Sequence, residues 1–330
     1  MPDVIVVGAG PAGSLCALQL ARSGADVMII DKADFPRRKV CGEYLNTAAV
    51  RELREHDVLK PIQQRATRLA GIRLQTTTGV RVELPFCEPA LSISRSTLDY
   101  VLLQAAKDAG ARFVRGRVED ASWKDDVVAG VIVRDPAGHL HSLRAQVVVA
   151  ADGTGSLLAK KAGLTVSTRA KHRFALGGHY AGFGTLDNFI EMYVGKSGYF
   201  AINPLNETVA NVMVVVDQSC LASWSAAVDE GMNGVVRDLA GGSRSLEAVV
   251  RVGNRVTTGP LLHRTGACAR PGMLLVGDAA GFVDPFTGQG IALALHGASQ
   301  AAIAIRGTLH RPADWKAYAA AYEIARAREF

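Results

Sequence analysis

The 330-residue sequence predicts an α/β fold, α+β overall, in which a Rossmann-like dinucleotide-binding domain carries a second, mainly antiparallel β-sheet domain. Three observations support this prediction. A glycine-rich turn at 8–13 lies between a buried-strand pattern and a helical pattern. Two later buried strands end in motifs of glycine and aspartate. Alternating or β-branched runs fill residues 66–94 and 166–256, as expected for an antiparallel sheet.

The first βαβ unit starts at residue 4. Residues 4–7 are four β-branched aliphatics, which indicate a strand buried on both faces. Leu15 and Leu18 belong to a helical apolar face that ends near Gly24, where a glycine suits a helix C-terminus. A second buried strand, 27–30, ends at Asp31.

Each residue of this unit has a physical role. Gly8 makes the tight turn, Gly10 lets a pyrophosphate approach the backbone, and Gly13 allows close packing of helix and sheet. Pro11 and Ala12 open the helix, whose N-terminus attracts phosphate. The carboxylate of Asp31 is placed to accept both hydroxyls of a ribose. The motif alone does not distinguish NAD from FAD.

Two further strands end in related motifs. Residues 147–151 form an apolar run that leads into Asp152-Gly153, and residues 273–276 form another that leads into Gly277-Asp278. After the second motif come Pro285 and a glycine-rich turn, then a helix from Ile291 to about residue 305.

The three motifs, in this order and spacing, resemble those of the flavoprotein superfamily of para-hydroxybenzoate hydroxylase and geranylgeranyl reductase over nearly the whole chain. The resemblance implies bound FAD. It also implies that Asp278 holds the ribityl chain, that Asp152 and Gly153 lie at the pyrophosphate, and that Pro285 lies near the isoalloxazine ring. A helix predicted from Ser94 to about residue 109, capped by Ser94 or Ser96, carries Arg95, which by resemblance reaches the FAD. The predicted cofactor-binding residues are Gly8, Gly10, Pro11, Ala12, Gly13, Asp31, Lys32, Lys39, Cys41, Gly42, Arg95, Val118, Asp152, Gly153, Gly277, Asp278, Pro285, Gly288, Gln289, Gly290 and Ile291.

Two segments resemble geranylgeranyl reductases more closely. Residues 35–43 (FPRRKVCGE) resemble a loop that lies over the flavin, where the Cys41 thiol either transfers protons or packs. Residues 199–204 (YFAINP) resemble the motif Y-x-W-x-F-P, with Ala201 in place of Trp and Asn203 in place of Phe. These two differences predict a roomier pocket with one added polar group. They also count against an isoprenoid substrate. Halogenases show W-x-W-x-I-P at this place, so a halogenase is disfavoured.

We therefore predict an FAD-dependent oxidoreductase, with Cys41, Tyr199 and Pro285 as catalytic candidates. The reaction favoured is NAD(P)H-dependent hydroxylation or epoxidation of an apolar or aromatic small molecule. Reduction of isoprenoid or other carbon–carbon double bonds is the alternative, followed by a non-catalytic electron-transfer flavoprotein. No second G-x-G-x-x-G follows a strand, so NADPH or NADH is expected to visit the one active site as a transient reductant.

The domain boundaries follow from the positions of the motifs. Residues 1–65, 95–165 and 257–306 are predicted to form a discontinuous FAD-binding domain, and 66–94 with 166–256 the substrate domain. Residues 307–330 read as a C-terminal helical segment that stops without a cap, so a longer natural chain is left open.

Composition excludes several classes of protein. The net charge of +6 is not gathered into basic clusters interleaved with aromatic residues, which argues against nucleic-acid binding. No apolar run approaches the roughly 18 residues of a membrane span. The absence of a signal-peptide pattern and the five scattered cysteines predict a reduced, cytoplasmic compartment. No metal site is predicted. Peripheral membrane contact and the oligomeric state are left open.

Overall fold

A computed structural model of the chain describes residues 1–167, 172–196, 198–224, 227–282 and 284–328. Its strands are β1 Val4–Val7, β2 Val27–Asp31, β3 Tyr44–Leu45, β4 Thr67–Thr76, β5 Arg81–Ser92, β6 Arg112–Arg115, β7 Arg117–Lys124, β8 Val127–Arg134, β9 Leu140–Arg144, β10 Val147–Ala150, β11 Thr165–Val166, β12 Arg173–Ala181, β13 Phe189–Gly195, β14 Gly198–Pro204, β15 Val209–Asp217, β16 Val250–Thr258, β17 Arg264–Thr265, β18 Ala269–Arg270 and β19 Met273–Leu275. Its α-helices are α1 Pro11–Arg22, α2 Thr47–Glu55, α3 Leu59–Gln63, α4 Arg95–Asp108, α5 Leu157–Lys161, α6 Gln218–Trp224, α7 Val228–Leu239, α8 Gly290–His310 and α9 Trp315–Ala327.

The first layer of the fold is a six-stranded sheet, which we call the cofactor sheet, in the order β18-β19-β10-β1-β2-β6. Every pairing in it is parallel except that of β18 with β19. One face packs on α1, α4 and α8, and the other on α5 and a three-stranded sheet formed by β7, β8 and β9. Burial on both faces explains why β1 consists entirely of aliphatic residues.

The second layer is an eight-stranded sheet, which we call the roof sheet, in the order β16-β12-β15-β14-β13-β4-β5-β3. Its pairings are antiparallel except that of β4 with β13. Side chains alternate along β14. Phe200 and Ile202 pack in an apolar cluster with residues of α7, whereas Tyr199, Ala201 and Asn203 line a cavity on the opposite face.

The predicted fold class is confirmed, and the local elements of the first βαβ unit agree with the sequence to within about one residue. Ser94 is the residue that caps α4, since its side chain accepts the N–H of Thr97. The three-stranded sheet was not predicted. Strand β3 lies within residues 1–65 but pairs with β5 of the roof sheet. The predicted C-terminal helix corresponds to α9, and residues 329–330 lie outside the described part of the chain.

Among the helices of the described residues, none combines the length and the apolar character needed to cross a bilayer.

Candidate active site

A cavity of about 970 Å³ lies between the C-terminal edge of the cofactor sheet and the roof sheet. All but two of the predicted site residues line it. Those that do are Gly8, Gly10, Pro11, Ala12, Asp31, Lys32, Lys39, Cys41, Gly42, Arg95, Val118, Asp152, Gly153, Tyr199, Gly277, Asp278, Pro285, Gly288, Gly290 and Ile291. Gly13 and Gln289 do not. Gln289 borders a small adjoining pocket.

The three glycines of the first motif have different surroundings. A Cβ atom on Gly13 would lie 1.9 Å from the carbonyl oxygen of Gly8, so Gly13 serves the packing of α1 on the sheet rather than ligand contact. A Cβ on Gly8 would lie 2.3 Å from the carbonyl oxygen of Ala151. Gly10 differs, because a Cβ there would meet only the guanidinium groups of Arg37 and Arg95, at 3.8 and 3.9 Å. The Gly10 backbone therefore borders open space surrounded by positive charge.

Three cations face this space. Arg95 forms a bidentate pair with the fully buried Asp99, at 2.8 and 2.9 Å, and Arg37 lies 3.1 Å from the same carboxylate. The pKa of Lys39 is lowered by desolvation at the cavity and by the nearby charges of Arg95 and Arg37. Two guanidinium groups thus share one carboxylate beside the ammonium group of Lys39. This set of residues fits a pyrophosphate, which would neutralise the excess charge.

Lys39→Met should raise the melting temperature of the FAD-free protein and weaken its binding of FAD. The folded pKa of Lys39 lies below its unfolded value, so its charge opposes folding at pH 7, and this opposition fades as pH rises from the folded pKa to the unfolded pKa. FAD titration and thermal melts at pH 7 check both effects. Lys60→Met is the matched control, since Lys60 is exposed on α3 and should change neither. Unchanged FAD affinity in Lys39→Met would remove Lys39 from the phosphate site.

Asp31 braces the glycine turn from the end of β2. One of its carboxylate oxygens accepts the N–H of Ala9 at 2.8 Å, and the other accepts the N–H of Ala33 at 2.9 Å. Each oxygen retains a further lone pair, and Asp31 lines the cavity. The carboxylate is therefore held in a fixed orientation in which it can still accept ribose hydroxyls.

Asp31→Ala should weaken FAD binding by roughly tenfold to a hundredfold, because hydrogen bonds to a charged group contribute about 1.5–3 kcal/mol each. Equilibrium titration of the FAD-free variant, followed by flavin fluorescence, measures the change. Asp34→Ala is the control, since the side chain of Asp34 is 70% exposed and pairs with Arg115 away from the glycine turn. Equal affinities for the two variants would contradict the assignment of Asp31 to the ribose.

The two later motifs meet at the same edge of the sheet. Asp278 accepts a hydrogen bond from the hydroxyl of Thr154 at 3.1 Å, and burial raises the pKa of its carboxyl group. Asp152 accepts the N–H groups of Leu157 and Leu158 at 2.8 and 3.2 Å, so one of its oxygens caps α5. Its other oxygen is buried without a partner among the described residues. The carboxylate of Asp152 therefore organises its own loop, and its contact with FAD stays a prediction.

The hydroxyl group of Tyr199 forms a hydrogen bond within the protein. It donates to Asp284 at 2.6 Å, and Arg173 holds the other oxygen of that carboxylate at 3.0 Å. Burial and then the neighbouring Asp284 raise the pKa of Tyr199 well above its usual value. The ring of Phe286 packs edge-on against that of Tyr199 at 5.1 Å. Tyr199 thus fixes the segment after Asp284, and its catalytic role stays a prediction.

This segment leads to the helix predicted to face the flavin. Pro285 begins a short 3₁₀ turn that ends at Gly288 in the left-handed conformation, with φ 66°. Helix α8 then starts at Gly290, one residue before the predicted start at Ile291. Gly290 and Ile291, in its first turn, line the cavity. The positive end of α8 is therefore directed at the cavity.

Cys41 lies on the cavity wall, in a loop of residues 35–43. Its sulfur accepts the N–H of Glu43 at 3.2 Å, and the described residues offer its own S–H no acceptor. Burial raises the pKa of the thiol, and the charge of Arg95 offsets this only in part. Cys41 therefore keeps its proton at neutral pH. Arg38 of the same loop reaches the roof sheet, where it donates to the carbonyl of Asn254 at 3.1 Å.

Some residues of the site were missed by sequence reasoning. Glu43, which has φ 57° and is 4% exposed, lines the cavity. One oxygen of its carboxylate accepts the N–H of Arg95 at 2.9 Å, and the other lies 2.7 Å from His179. Arg37 and Asp284 were also missed. Arg37 could have been found, because it lies in the basic run of residues 37–39. Glu43 and Asp284 could not, because their hydrogen-bond partners are distant in the chain and no local sequence pattern marks them.

The half of the cavity under the roof sheet is apolar. Its walls come from alternate residues of four neighbouring strands, which face the cavity together. They are Ala175, Ile190, Met192, Ala201, Met213 and Val215. This half can enclose an apolar molecule beside the half of the cavity that carries Arg37, Lys39 and Arg95.

A family model described as "FAD binding domain" matches residues 1–327. The menaquinone reductase of Mycolicibacterium smegmatis is 31% identical over 306 residues, covering 88% of this chain and 72% of that protein. Digeranylgeranylglycerophospholipid reductase 1 of Methanopyrus kandleri is 31% identical over 307 residues, covering 89% of this chain and 77% of the reductase.

Among solved structures, the myxobacterial chondrochloren halogenase superposes with a TM-score of 0.91 at 24% identity, covering 99% of this chain and 79% of the halogenase. At this identity, the likeness concerns the fold.

Proposed function

The chain belongs to the FAD-binding-domain family, within the superfamily of geranylgeranyl reductase and para-hydroxybenzoate hydroxylase, and on that premise we propose that it is an FAD-dependent reductase that saturates a carbon–carbon double bond in an apolar small molecule. That it is an FAD-dependent oxidoreductase follows from the family. The choice of reduction over the hydroxylation favoured by the sequence is the proposal.

The observation that carries the proposal is the position of the Cys41 thiol at the wall of the cavity, where burial raises its pKa. FAD supplies, in its reduced form, a hydride equivalent. Saturating a double bond also requires a proton, and two of the other acidic side chains at the cavity are engaged: Tyr199 donates to Asp284, and Glu43 binds Arg95 and His179. Tyr44 also lines the cavity, but burial raises its pKa to about 12. A thiol is ordinarily the stronger acid, so Cys41 is the proposed proton donor.

The remaining residues would bind and orient the cofactor. Arg37, Lys39 and Arg95 would neutralise the pyrophosphate beside Gly10, and Asp31 would accept the ribose hydroxyls. The N-terminus of α8 would stabilise negative charge on the reduced ring. The apolar walls would exclude water from the reacting bond. NADPH or NADH, visiting the same cavity, is the proposed electron donor.

The relatives named above provide candidate substrates. By name, one acts on menaquinone and the other on a digeranylgeranyl lipid, and both molecules carry prenyl chains with double bonds. An apolar cavity under the roof sheet is suited to such a chain. The proposal therefore retains the prenyl substrates that Ala201 and Asn203 count against on sequence grounds.

An anaerobic experiment tests the reaction type. The FAD-loaded protein is reduced with dithionite and mixed with menaquinone or a geranylgeranyl lipid under nitrogen, while flavin absorbance and product mass are followed. We expect the flavin to reoxidise without oxygen and the geranylgeranyl lipid, which has no quinone ring, to gain two hydrogen atoms. With menaquinone, the two added hydrogen atoms must remain after the quinol is reoxidised in air, since only a saturated double bond keeps them. Reoxidation only after oxygen is admitted, with an oxygen atom added to the substrate, would establish a monooxygenase instead.

A further inference from the structure

Two asparagines face each other across neighbouring strands of the roof sheet. Asn203 on β14 and Asn211 on β15 are direct register partners, and they are 2% and 3% exposed. Asn203 shares the cavity-facing side of β14 with Tyr199 and Ala201. Burying two amide side chains is unfavourable unless their polar atoms are paired, so their hydrogen bonds indicate their role.

Those hydrogen bonds all go to the backbone of the Cys41 loop. Asn211 Nδ2 donates to the carbonyl of Cys41 at 2.8 Å. Asn203 Nδ2 donates to the carbonyls of Gly42 and Glu43, at 2.8 and 3.0 Å. Because a carbonyl oxygen only accepts, the amide nitrogens must point towards the loop. Three consecutive carbonyl groups of the loop are thus held by one pair of side chains.

The pair is poorly explained by stability alone. The Oδ1 atom of Asn203 is buried without a hydrogen-bond partner among the described residues, which is unfavourable by roughly 1–3 kcal/mol. The motif that this segment resembles has an apolar phenylalanine at the position of Asn203. An apolar residue would avoid the unpaired oxygen but would leave the carbonyls of Gly42 and Glu43 without their donor.

We propose that Asn203 and Asn211 are positioning residues for Cys41, which fix the turn of residues 41–43 so that the thiol lies at the cavity wall. The sulfur depends on this turn directly, since it accepts the N–H of Glu43 two residues later. Glu43 is itself in the left-handed conformation, which is unfavourable for a residue with a side chain and must be held by its surroundings.

The inference rests on the proposed function only in taking Cys41 as the reactive group. Its test is therefore the chemical reactivity of the thiol, measured without turnover. FAD-loaded wild type, Asn203→Leu and Asn211→Leu are treated with iodoacetamide from pH 6 to 10, and alkylation of each cysteine is followed by peptide mass spectrometry. The exposed Cys87 is the internal reference.

We expect either substitution to raise the alkylation rate of Cys41 by roughly tenfold and to shift its pH profile, because losing one or two hydrogen bonds frees the turn. Cys87 should not change. Because the two asparagines hold the same turn, their effects should overlap. The increase in the alkylation rate of Cys41 in the double variant should therefore be smaller than the product of the increases in the two single variants. If a leucine variant does not fold, Asn211→Ser removes the same donor with a smaller change.

Asn233→Leu is the matched control. Asn233 is 8% exposed and hydrogen-bonded to Glu247 on the other side of the roof sheet, so its loss should lower thermal stability and leave Cys41 unchanged. The proposal is overturned if Asn203→Leu and Asn211→Leu destabilise the protein as Asn233→Leu does while Cys41 alkylates at the wild-type rate. Altered alkylation with no anaerobic double-bond reduction in wild type would retain the positioning role and reject the reductase.

Discussion

Gly10→Val should leave the protein folded and unable to retain FAD. The backbone of Gly10 has φ −78° and ψ −174°, which is extended backbone that valine adopts readily. The new side chain would enter the space bordered by Arg37 and Arg95, where the pyrophosphate is expected. Loss of two or more charge-assisted hydrogen bonds, at about 1.5–3 kcal/mol each, should lower FAD affinity at least a hundredfold. Flavin absorbance after purification and an FAD titration measure this.

Gly13→Ala provides the contrast. A Cβ at Gly13 would overlap the carbonyl oxygen of Gly8, so this variant should lose the packing of α1 and much of its thermal stability. Circular dichroism melts of the two FAD-free variants distinguish a blocked ligand site from a broken fold. Recovery of Gly10→Val as a yellow protein with wild-type FAD content would show that the phosphate does not lie there.

Cys41→Ala should bind FAD normally and lose most of its turnover. A positioned general acid contributes about 10²–10⁴-fold to a rate, so kcat for double-bond reduction should fall at least a hundredfold with little change in KM. Reduction of the flavin by NAD(P)H should keep its rate, because Cys41 serves the substrate. Stopped-flow absorbance separates the two half-reactions, with Cys87→Ala as the control for cysteine removal.

A different result would be equally informative. If reduced Cys41→Ala is reoxidised by the prenyl substrate at the wild-type rate, another group protonates the product, and Cys41 only packs in the wall. If flavin reduction by NAD(P)H slows instead, Cys41 acts on the electron donor rather than on the substrate.

The cofactor half of the site could be predicted from sequence because its signals are local. A β-branched run, a glycine turn, a helix and an acidic residue follow one another within residues 4–31, and their roles depend on backbone geometry. The same holds for Asp152 and Asp278, which follow β10 and β19. These strands are parallel neighbours, so their C-terminal ends lie at the same edge of the sheet.

The roof half could not be predicted in the same way. The sequence indicated that Asn203 adds a polar group to the pocket, but the donor of that side chain is taken by carbonyls 160 and 161 residues earlier in the chain. Likewise, Tyr199 is bound to an acid 85 residues later. The sequence shows that a polar side chain is present at a position, but it does not show which distant residue forms a hydrogen bond with it.

The three-stranded sheet escaped prediction for another reason. Strand β7 departs from regular pairing with β8 at two places, between Val118 and Asp120 and between Ser122 and Trp123. Each irregularity interrupts the two-residue alternation that marks a half-buried strand. Val118, one of the predicted cofactor-binding residues, nevertheless lines the cavity.

The loop of residues 35–43 connects the two layers of the molecule at several points. In the chain, the loop comes directly after β2 of the cofactor sheet, yet it makes several contacts with the roof sheet. Arg38 donates to a carbonyl of β16, and Glu43 pairs with His179 on β12. Asn203 and Asn211 donate to carbonyl groups of the loop. Separating the layers would break all of these contacts at once. Calorimetry should therefore record a single heat-absorption peak, with equal van't Hoff and calorimetric enthalpies, as for one cooperative unit.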